Sequence, residues 1–434
     1  MIVHGRLVLD PARPPEPGWL RCEGGRVAEI GFGDLPRDRA PPTLGGSSRL
    51  IVPAFVDAHL HLPQIDSAGC DGLELLEWLD RVVFPAESWW GRGAAQRDAR
   101  TAVRRLASEG TVGAAVYLSS HGRAASEVLA LLSRTPMRWI AGRVAMDRGG
   151  PDDLTHEDRA RAKMTPSPSP IAPSPSPRGR VSVSANPRFA IACSEELLAE
   201  IGWAVADVAA RGEERPFVQT HVAESRAECL RVAELFPGDE SYAHIYERFG
   251  LLSERTLLAH GVWLCDDQLA LLARRGSVLV HCPTSNLFLR SGLLNLDRVR
   301  AAGVRLALGS DVAGGPDVAM PRVARAMIET AKIRALSRET SGGAARDWHD
   351  PGDLVRVPTP AEAWEMITRG NADALGWADG GRLEAGAAAD LLVLRVPETW
   401  IDEHLIGRLI YNWSPGLIES RVFGGELIDP ERIV

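Results

Sequence analysis

Lysine is almost absent from this chain of 434 residues, whose 49 basic side chains include only Lys163 and Lys332. Acidic side chains outnumber basic ones by 57 to 49, so the formal net charge is −8. A chain without a basic excess has no positive field to attract a polynucleotide. We therefore expect no nucleic-acid partner.

Paired cysteines and long apolar runs are also missing. No apolar run approaches the roughly 20 residues that a membrane-spanning helix needs, so we expect no membrane span. The first residues lack the charged and apolar segments of a secretion signal, which predicts a cytoplasmic protein. Without Cys-x-x-Cys spacing, neither a disulfide framework nor a zinc knuckle is expected, and the thiols are predicted to be reduced and buried. The six cysteines are Cys22, Cys70, Cys193, Cys229, Cys265 and Cys282.

The order of apolar and turn-forming residues predicts the fold. Residues 1–50 and 376–434 contain short alternating runs separated by glycine and proline, which is typical of small β structures. Between them, in residues 51–375, strand-like runs alternate with helical patterns such as 94–109 and 265–275, which indicates parallel β/α units. The predicted fold class is α/β: a TIM-type (β/α)8 barrel with a small β-sandwich built from both termini.

One stretch interrupts this alternation. Residues 165–178 consist mainly of proline and serine, and proline removes backbone donors and blocks helix formation. We expect an exposed, disordered loop there. A short helix is predicted over 156–164, and the alternation in 180–185 predicts the strand that follows the loop.

Four of the strand-like runs end in histidine or aspartate. His59 and His61 lie two residues apart, so on a strand both side chains point to the same side. Three further runs end at His221, His260 and Asp311. In a parallel barrel these ends meet at one face, where nitrogen and oxygen ligands can hold a catalytic zinc ion. The alternative is that these are core side chains with backbone partners.

Several short motifs surround these strand ends. The most specific are Val56–Gln64, Leu75–Leu79 with Phe84–Glu87, and Pro187–Phe189; the others are 141–147, 221–224, 260–261, 281–286 and 309–315. These motifs resemble those of the amidohydrolase superfamily, and within it the guanine deaminase family. The resemblance covers nearly the whole chain, and it implies a metal-dependent barrel hydrolase, one zinc ion per chain, a small-molecule substrate and a homodimer.

The resemblance also implies roles for individual residues. Glu224 would shuttle protons, a role that the chemistry requires because the amino leaving group needs an acid distinct from the metal. Asp311 would accept a proton from the attacking water, and His260 would hydrogen-bond the hydroxide or the tetrahedral centre. His281 is predicted to be structural. Taken singly, Glu224 also suits a helix start, Asp311 a turn and His260 a core position. The implied zinc ligands are His59, His61, His221 and Asp311.

Three further residues fit the recognition of a purine. Gln64 and Arg188 supply donors and an acceptor for the ring edge, and Phe189 supplies an aromatic wall. This set suits the oxygen at C6 of guanine better than the edge of adenine. We expect His221, Glu224 and Asp311 to contact the substrate as well. Outside this context, Gln64 would be an ordinary loop residue and Arg188 a surface charge, while Trp78 and Phe84 are expected to be packing residues.

The implied reaction is hydrolytic deamination of guanine to xanthine and ammonia. A lysine-bridged pair of metals is disfavoured, because neither Lys163 nor Lys332 lies at a predicted barrel strand. The His-x-Glu and Pro-Cys-x-x-Cys pattern of the cytidine deaminases is absent. Two alternatives stay open: a one-metal enzyme that deaminates or dechlorinates another purine, a pterin or a triazine, and a metal-free scaffold protein of the same fold.

Overall fold

The computed structural model of the protein describes residues 1–37, 39–161, 181–341 and 356–434. The predicted loop at 165–178 lies outside the described residues. Within the described part, no helix combines the length and the apolar character needed to span a bilayer.

The strands and helices follow the predicted alternation. The strands are β1 (Ile2–Leu7), β2 (Glu16–Glu23), β3 (Arg26–Phe32), β4 (Leu44–Pro53), β5 (Phe55–His61), β6 (Thr111–Tyr117), β7 (Arg138–Gly142), β8 (Val144–Ala145), β9 (Val181–Pro187), β10 (Phe217–Val222), β11 (Thr256–His260), β12 (Val278–His281), β13 (Arg305–Leu308), β14 (Leu391–Arg395), β15 (Ile418–Phe423) and β16 (Glu426–Leu427). The α-helices are α1 (Leu75–Trp78), α2 (Phe84–Trp89), α3 (Ala95–Ser108), α4 (Gly122–Leu132), α5 (Asp152–Arg161), α6 (Glu195–Ala210), α7 (Arg226–Leu235), α8 (Tyr242–Arg248), α9 (Asp266–Arg275), α10 (Pro283–Phe288), α11 (Leu296–Ala301), α12 (Met320–Ser341), α13 (Pro360–Glu365), α14 (Asn371–Ala374) and α15 (Leu405–Tyr411).

Both ends of the chain form one sheet of seven strands in the order β16-β15-β14-β4-β1-β2-β3. The N-terminal part joins the C-terminal part where β4 pairs antiparallel with β14, with Ile51 opposite Val393. A bridge between Arg26 and Ala388 brings the far edge of the sheet back toward the C-terminal part. A separate apolar core lies inside this curled sheet and includes residues from both ends of the chain. The predicted association of the termini is confirmed, although β4 runs past the expected boundary at residue 50.

The second sheet is the barrel. Its strands run β13-β12-β11-β10-β9-β7-β6-β5, neighbours along this path pair in parallel, and the short β8 pairs with β9. The first and last strands approach each other, and the backbone carbonyl oxygen of His59 accepts a hydrogen bond from the Asp311 backbone N–H at 2.8 Å. The Asn371 side chain, from α14, bonds to backbone groups of Val56 and Leu308 at this seam. The predicted (β/α)8 barrel is confirmed.

Local sequence explains where several helices begin and end. Ser194 caps α6 by accepting the Leu197 N–H, and helix α9 ends at Gly276, which adopts the left-handed conformation with φ of 66°. Helices α3 and α9 match the predicted helical patterns to within one residue at each end. The strand predicted over 180–185 is present as β9, and it leads directly to Arg188.

The cysteines are all free thiols, as expected. The prediction that they are buried is wrong for Cys70 and Cys265, which are exposed, and Cys229 is partly exposed. Apolar character alone does not bury a thiol that lies in a loop or immediately before a helix at the surface.

Candidate active site

Five side chains converge at the carboxyl-terminal end of the barrel. His61 and His221 face each other with their Nε2 atoms 3.1 Å apart. The Oδ1 atom of Asp311 lies 3.2 Å from His59 Nε2 and 3.5 Å from His61 Nε2, and its Oδ2 lies 3.7 Å from His260 Nε2. These residues come from β5, β10, β11 and the segment after β13. The predicted convergence of strand ends is therefore present.

The donor set suits a metal ion. One ligand atom each from His59, His221, His260 and Asp311 lie within 4.8 Å of one another. The Nε2 atom of His59 is buried, and its approach to Asp311 Oδ1 at 3.2 Å does not have the geometry of a hydrogen bond. The Nδ1 of His221 bonds the Arg188 carbonyl oxygen at 2.5 Å, so its Nε2 lone pair faces the other imidazoles. An imidazole that donates its second N–H to a backbone carbonyl is the usual arrangement of a metal ligand.

His61 is not a member of that group of four, whereas His260 is. The resemblance implies the opposite choice, with His61 as a ligand and His260 as a hydrogen-bonding partner. His260 is already engaged on both sides: its Nδ1 bonds Asn286 Oδ1 at 3.0 Å, and its Nε2 lies 3.4 Å from Glu224 Oε2. His61 Nδ1 is buried without a partner among the described residues, and its Nε2 faces His221.

Charge and burial set these imidazoles apart. Burial lowers the pKa of His59, His61 and His221, which favours the neutral form that ligates metals. Burial acts the same way on His260, but the carboxylates of Glu224 and Asp311 outweigh it and raise its pKa. Burial alone would raise the pKa of Asp311, yet the neighbouring imidazoles of His59 and His260 hold it well below its ordinary value. Asp311 is therefore an anion in this site.

Glu224 lies beside the cluster and is 3% exposed. Its Oε1 accepts a hydrogen bond from Ser291 Oγ at 2.8 Å, and its backbone N–H donates to Glu228 Oε2 at 2.7 Å. Burial raises the pKa of Glu224 to about 7, and this effect exceeds the opposing influence of His260. A carboxyl group with this pKa can both accept and donate a proton near neutral pH.

The backbone at these strand ends is strained. Ala223, His260 and Asp311 have positive φ angles of 48°, 75° and 49°. Such angles cost free energy in residues with a side chain, and they are concentrated at functional sites. Asp57 supports the same region because its Oδ1 accepts backbone N–H groups of Ser310 at 3.0 Å and His59 at 3.1 Å.

A cavity opens onto the cluster. Gln64, Arg188 and Phe189 line it together with catalytic candidates, so the structure brings together the predicted purine-binding residues. Trp78 also lines the cavity, while Phe84 lies beneath the Arg188 guanidinium at 5.4 Å. The full lining is His61, Gln64, Leu75, Trp78, Leu79, Arg188, Phe189, His221, Glu224, His260, Leu289 and Asp311.

Sequence reasoning missed two polar residues of this region as site residues, Glu87 and Ser291. Glu87 is fully buried, and it accepts hydrogen bonds from both Gln64 and Arg188. Its only signal in the sequence is its place in the Phe84–Glu87 motif. Ser291, which bonds Glu224, lies in a loop with no pattern that marks it. His281 is buried and lies outside both the ligand group and the cavity lining, and its structural role stays a prediction.

The barrel and its cluster of histidines and an aspartate, which could hold a metal ion, are features of a hydrolase, and comparison with known proteins agrees. The profile of the amidohydrolase family matches residues 50–427, so the chain belongs to the amidohydrolase family.

Relatives within that family are guanine deaminases. The chain is 33% identical over 284 residues to the guanine deaminase of Dictyostelium discoideum, a match that covers 65% of this chain and 62% of that protein, less than two thirds of its length. It is 28% identical over 395 residues to the guanine deaminase of Rattus norvegicus, covering 87% of this chain and 83% of that protein. The crystal structure of guanine deaminase from Bradyrhizobium japonicum is similar over 99% of both chains, with a TM-score of 0.84 and 25% identity.

Proposed function

We propose that the protein hydrolyses guanine to xanthine and ammonia. The observation that carries this proposal is a single cavity in which Gln64, Arg188 and Phe189 lie beside the His and Asp cluster. The similarity to guanine deaminases supports the same substrate. The homodimer implied by the resemblance stays a prediction, and so does the cytoplasmic location.

We assign the metal site to zinc, held by His59, His61, His221 and Asp311. Three neutral imidazoles and one carboxylate form a donor set that zinc accepts in catalytic sites. When bound, zinc supplies a Lewis acid and lowers the pKa of a coordinated water to about 7. His260 is left out of this set because Glu224 and Asn286 already face its two ring nitrogens.

Glu224 is the proton shuttle of the proposed reaction. Its buried carboxyl group takes a proton at neutral pH and delivers it to the ring nitrogen next to C2, which is the carbon under attack. Ser291 holds Oε1, so that Oε2 remains directed toward His260 and the cluster. Asp311 accepts one proton of the attacking water, and Glu224, now ionised, takes the second and delivers it to the amino group. The C2–N bond then breaks, ammonia leaves and C2 keeps the oxygen as a carbonyl group, while the proton on Asp311 returns to Glu224.

His260 stabilises charge during this reaction. It lies between the carboxylates of Glu224 and Asp311, with its Nε2 3.4 Å from the first and 3.7 Å from the second. These carboxylates favour its protonated form, which donates a hydrogen bond to the oxygen of the tetrahedral centre. Asn286 accepts from Nδ1 and fixes the orientation of the ring.

Recognition of guanine follows from the chemistry of the pocket. The Arg188 guanidinium donates to a ring carbonyl such as the oxygen at C6, where adenine has an amino group that repels a donor. Gln64 offers both a donor and an acceptor to the ring edge, and Phe189 provides a flat apolar surface. A pocket with buried donors disfavours ligands that leave those donors unpaired.

The test is ultraviolet absorbance of guanine incubated with zinc-loaded protein, with ammonia measured in parallel. We expect conversion to xanthine by the native chain and loss of at least about 100-fold in kcat for Glu224→Gln, which retains shape but cannot shuttle a proton. Adenine, a pterin and melamine are the comparison substrates. Ammonia from one of these and none from guanine would overturn the assignment of the pocket, and zinc-loaded protein inactive on all four would overturn the enzyme assignment.

A further inference from the structure

Glu87 is a fully buried charge that the proposed reaction does not use. It lies on α2, and it is not among the residues that line the cavity. Its two carboxylate oxygens each have one partner: Oε2 accepts from Arg188 Nη1 at 2.6 Å, and Oε1 accepts from Gln64 Nε2 at 2.9 Å. Both partners are residues assigned above to purine recognition.

We propose that Glu87 is a positioning residue that sets the specificity of the pocket for a neutral oxopurine, by fixing both Gln64 and Arg188 from behind. The inference rests on the proposed function and deepens it. Glu87 itself does not touch the substrate; it acts through the two side chains that do.

The first step of the argument concerns the Gln64 amide. An ionised carboxylate only accepts hydrogen bonds, so the amide must turn its NH2 group toward Glu87. The amide oxygen then faces the other way, where the Ala313 backbone N–H lies 3.4 Å from it. Glu87 thus selects one of the two orientations that the Gln64 amide can take, and this orientation decides which side of Gln64 donates and which side accepts.

The second step concerns charge. Arg188 and Glu87 are 3% and 0% exposed at their side chains, so the pair is shielded from solvent. A lone buried guanidinium would attract an anion, whereas in the ion pair the charge of Glu87 compensates that of Arg188 and leaves the remaining N–H groups of Arg188 as donors. This favours the carbonyl group of a neutral purine over a carboxylate or phosphate ligand.

The third step concerns direction. The guanidinium lies over the Phe84 ring at 5.4 Å, and Phe84 is three residues before Glu87 in the same helix. Helix α2 therefore supports Arg188 both through the ring and through the ion pair. With one N–H group held by Glu87, the planar fork can turn only a fixed set of donors toward the cavity.

The experiment compares Glu87→Gln with the native zinc-loaded protein. Guanine turnover gives kcat and KM, and 2,6-diaminopurine, which has an amino group at C6, is used as a competitive inhibitor. We expect Glu87→Gln to raise KM for guanine about tenfold or more, with a smaller change in kcat, because the two recognition side chains lose their orientation. The inhibition constant of 2,6-diaminopurine should change by less than about threefold, so that discrimination falls.

Two further variants keep the test decisive. Glu87→Asp retains the charge but shortens the side chain, and we expect a partial rise in KM; it decides the question if Glu87→Gln does not fold. Glu109→Gln is the matched control. This partly buried glutamate accepts a hydrogen bond from Trp413 Nε1, and it lies just before β6, at the end of the barrel opposite the site. Its kinetic constants should equal those of the native protein.

The outcomes separate this inference from the proposed function. A native protein that does not deaminate guanine overturns both. A native protein that is active, with KM for guanine in both Glu87 variants within about twofold of the native value, overturns the role of Glu87 alone. Equal changes in the guanine KM and the 2,6-diaminopurine inhibition constant would indicate general disruption and would also contradict it.

Discussion

Replacing Asn371 with alanine should loosen the barrel at the point where its first and last strands meet. Asn371 is fully buried. Its Nδ2 donates to the carbonyl oxygens of Val56 at 2.7 Å and Leu308 at 2.8 Å, and its Oδ1 accepts from the Leu308 N–H at 2.8 Å. One side chain therefore joins β5, which carries His59 and His61, to β13, which leads to Asp311.

The expected loss follows from these three hydrogen bonds. Each backbone group left unpaired in the interior costs about 1–2 kcal/mol, so Asn371→Ala should lower the free energy of unfolding by about 3–6 kcal/mol. With an unfolding entropy of about 2.1 cal/mol/K per residue, a chain of 434 residues has about 0.9 kcal/mol/K at its midpoint. The thermal midpoint should then fall by about 3–7 °C.

Differential scanning calorimetry measures this shift directly. Asn412→Ala is the control, because Asn412 is exposed and its Nδ2 makes one bond, to the Arg408 carbonyl oxygen at 3.0 Å. Its midpoint should move by less than about 1 °C. Asn371→Asp retains the acceptor but loses both donors and buries a charge, so it should be at least as unstable as the alanine variant. A midpoint for Asn371→Ala within 1 °C of the native value would refute the assignment of this side chain to barrel closure.

Two other predictions concern the site. Removal of the metal by chelation should abolish turnover, and activity without metal would contradict the site. Chelation should also lower the thermal midpoint by about 3 °C relative to protein with zinc at about 100 times its Kd, because metal binding adds about 2.7 kcal/mol to the free energy of unfolding. The rate should also fall as pH rises through about 7, the value to which burial raises the pKa of Glu224, since the acid must hold its proton to donate it. Initial rates of guanine turnover measured across pH 5–9 would reveal this decrease, and a rate independent of pH above 7 would argue against Glu224 as the acid.

The site shows which inferences a local pattern supports. His59 and His61 can be identified from the sequence because successive side chains of a strand point to opposite sides, and this pattern can be recognised without knowing the rest of the chain. The strand ends at His221, His260 and Asp311 are readable because parallel strands of one barrel end at the same face. The choice between His61 and His260 as a ligand is different, because it depends on which neighbour each ring nitrogen faces.

Glu87 and Asn371 illustrate what periodicity does not contain. Glu87 lies 101 residues before Arg188, and Asn371 lies 315 residues after Val56. Each contact joins a helix to a segment from a distant part of the chain, and each side chain would suit a surface position equally well. The same holds for Cys70 and Cys265, whose exposure depends on what packs over them.

The sequence by itself determined the order of strands and helices, the association of both termini and the convergence of histidines and an aspartate at one face of the barrel. These features follow from residue spacing, turn chemistry and the fixed direction of parallel strands, whereas the purine-binding candidates came from the resemblance to guanine deaminases. The tertiary structure decided the closure of the barrel by Asn371, the support of Gln64 and Arg188 by Glu87, and the charge state favoured at each imidazole. These depend on burial and on distances between groups far apart in the chain, which the order of residues does not encode locally.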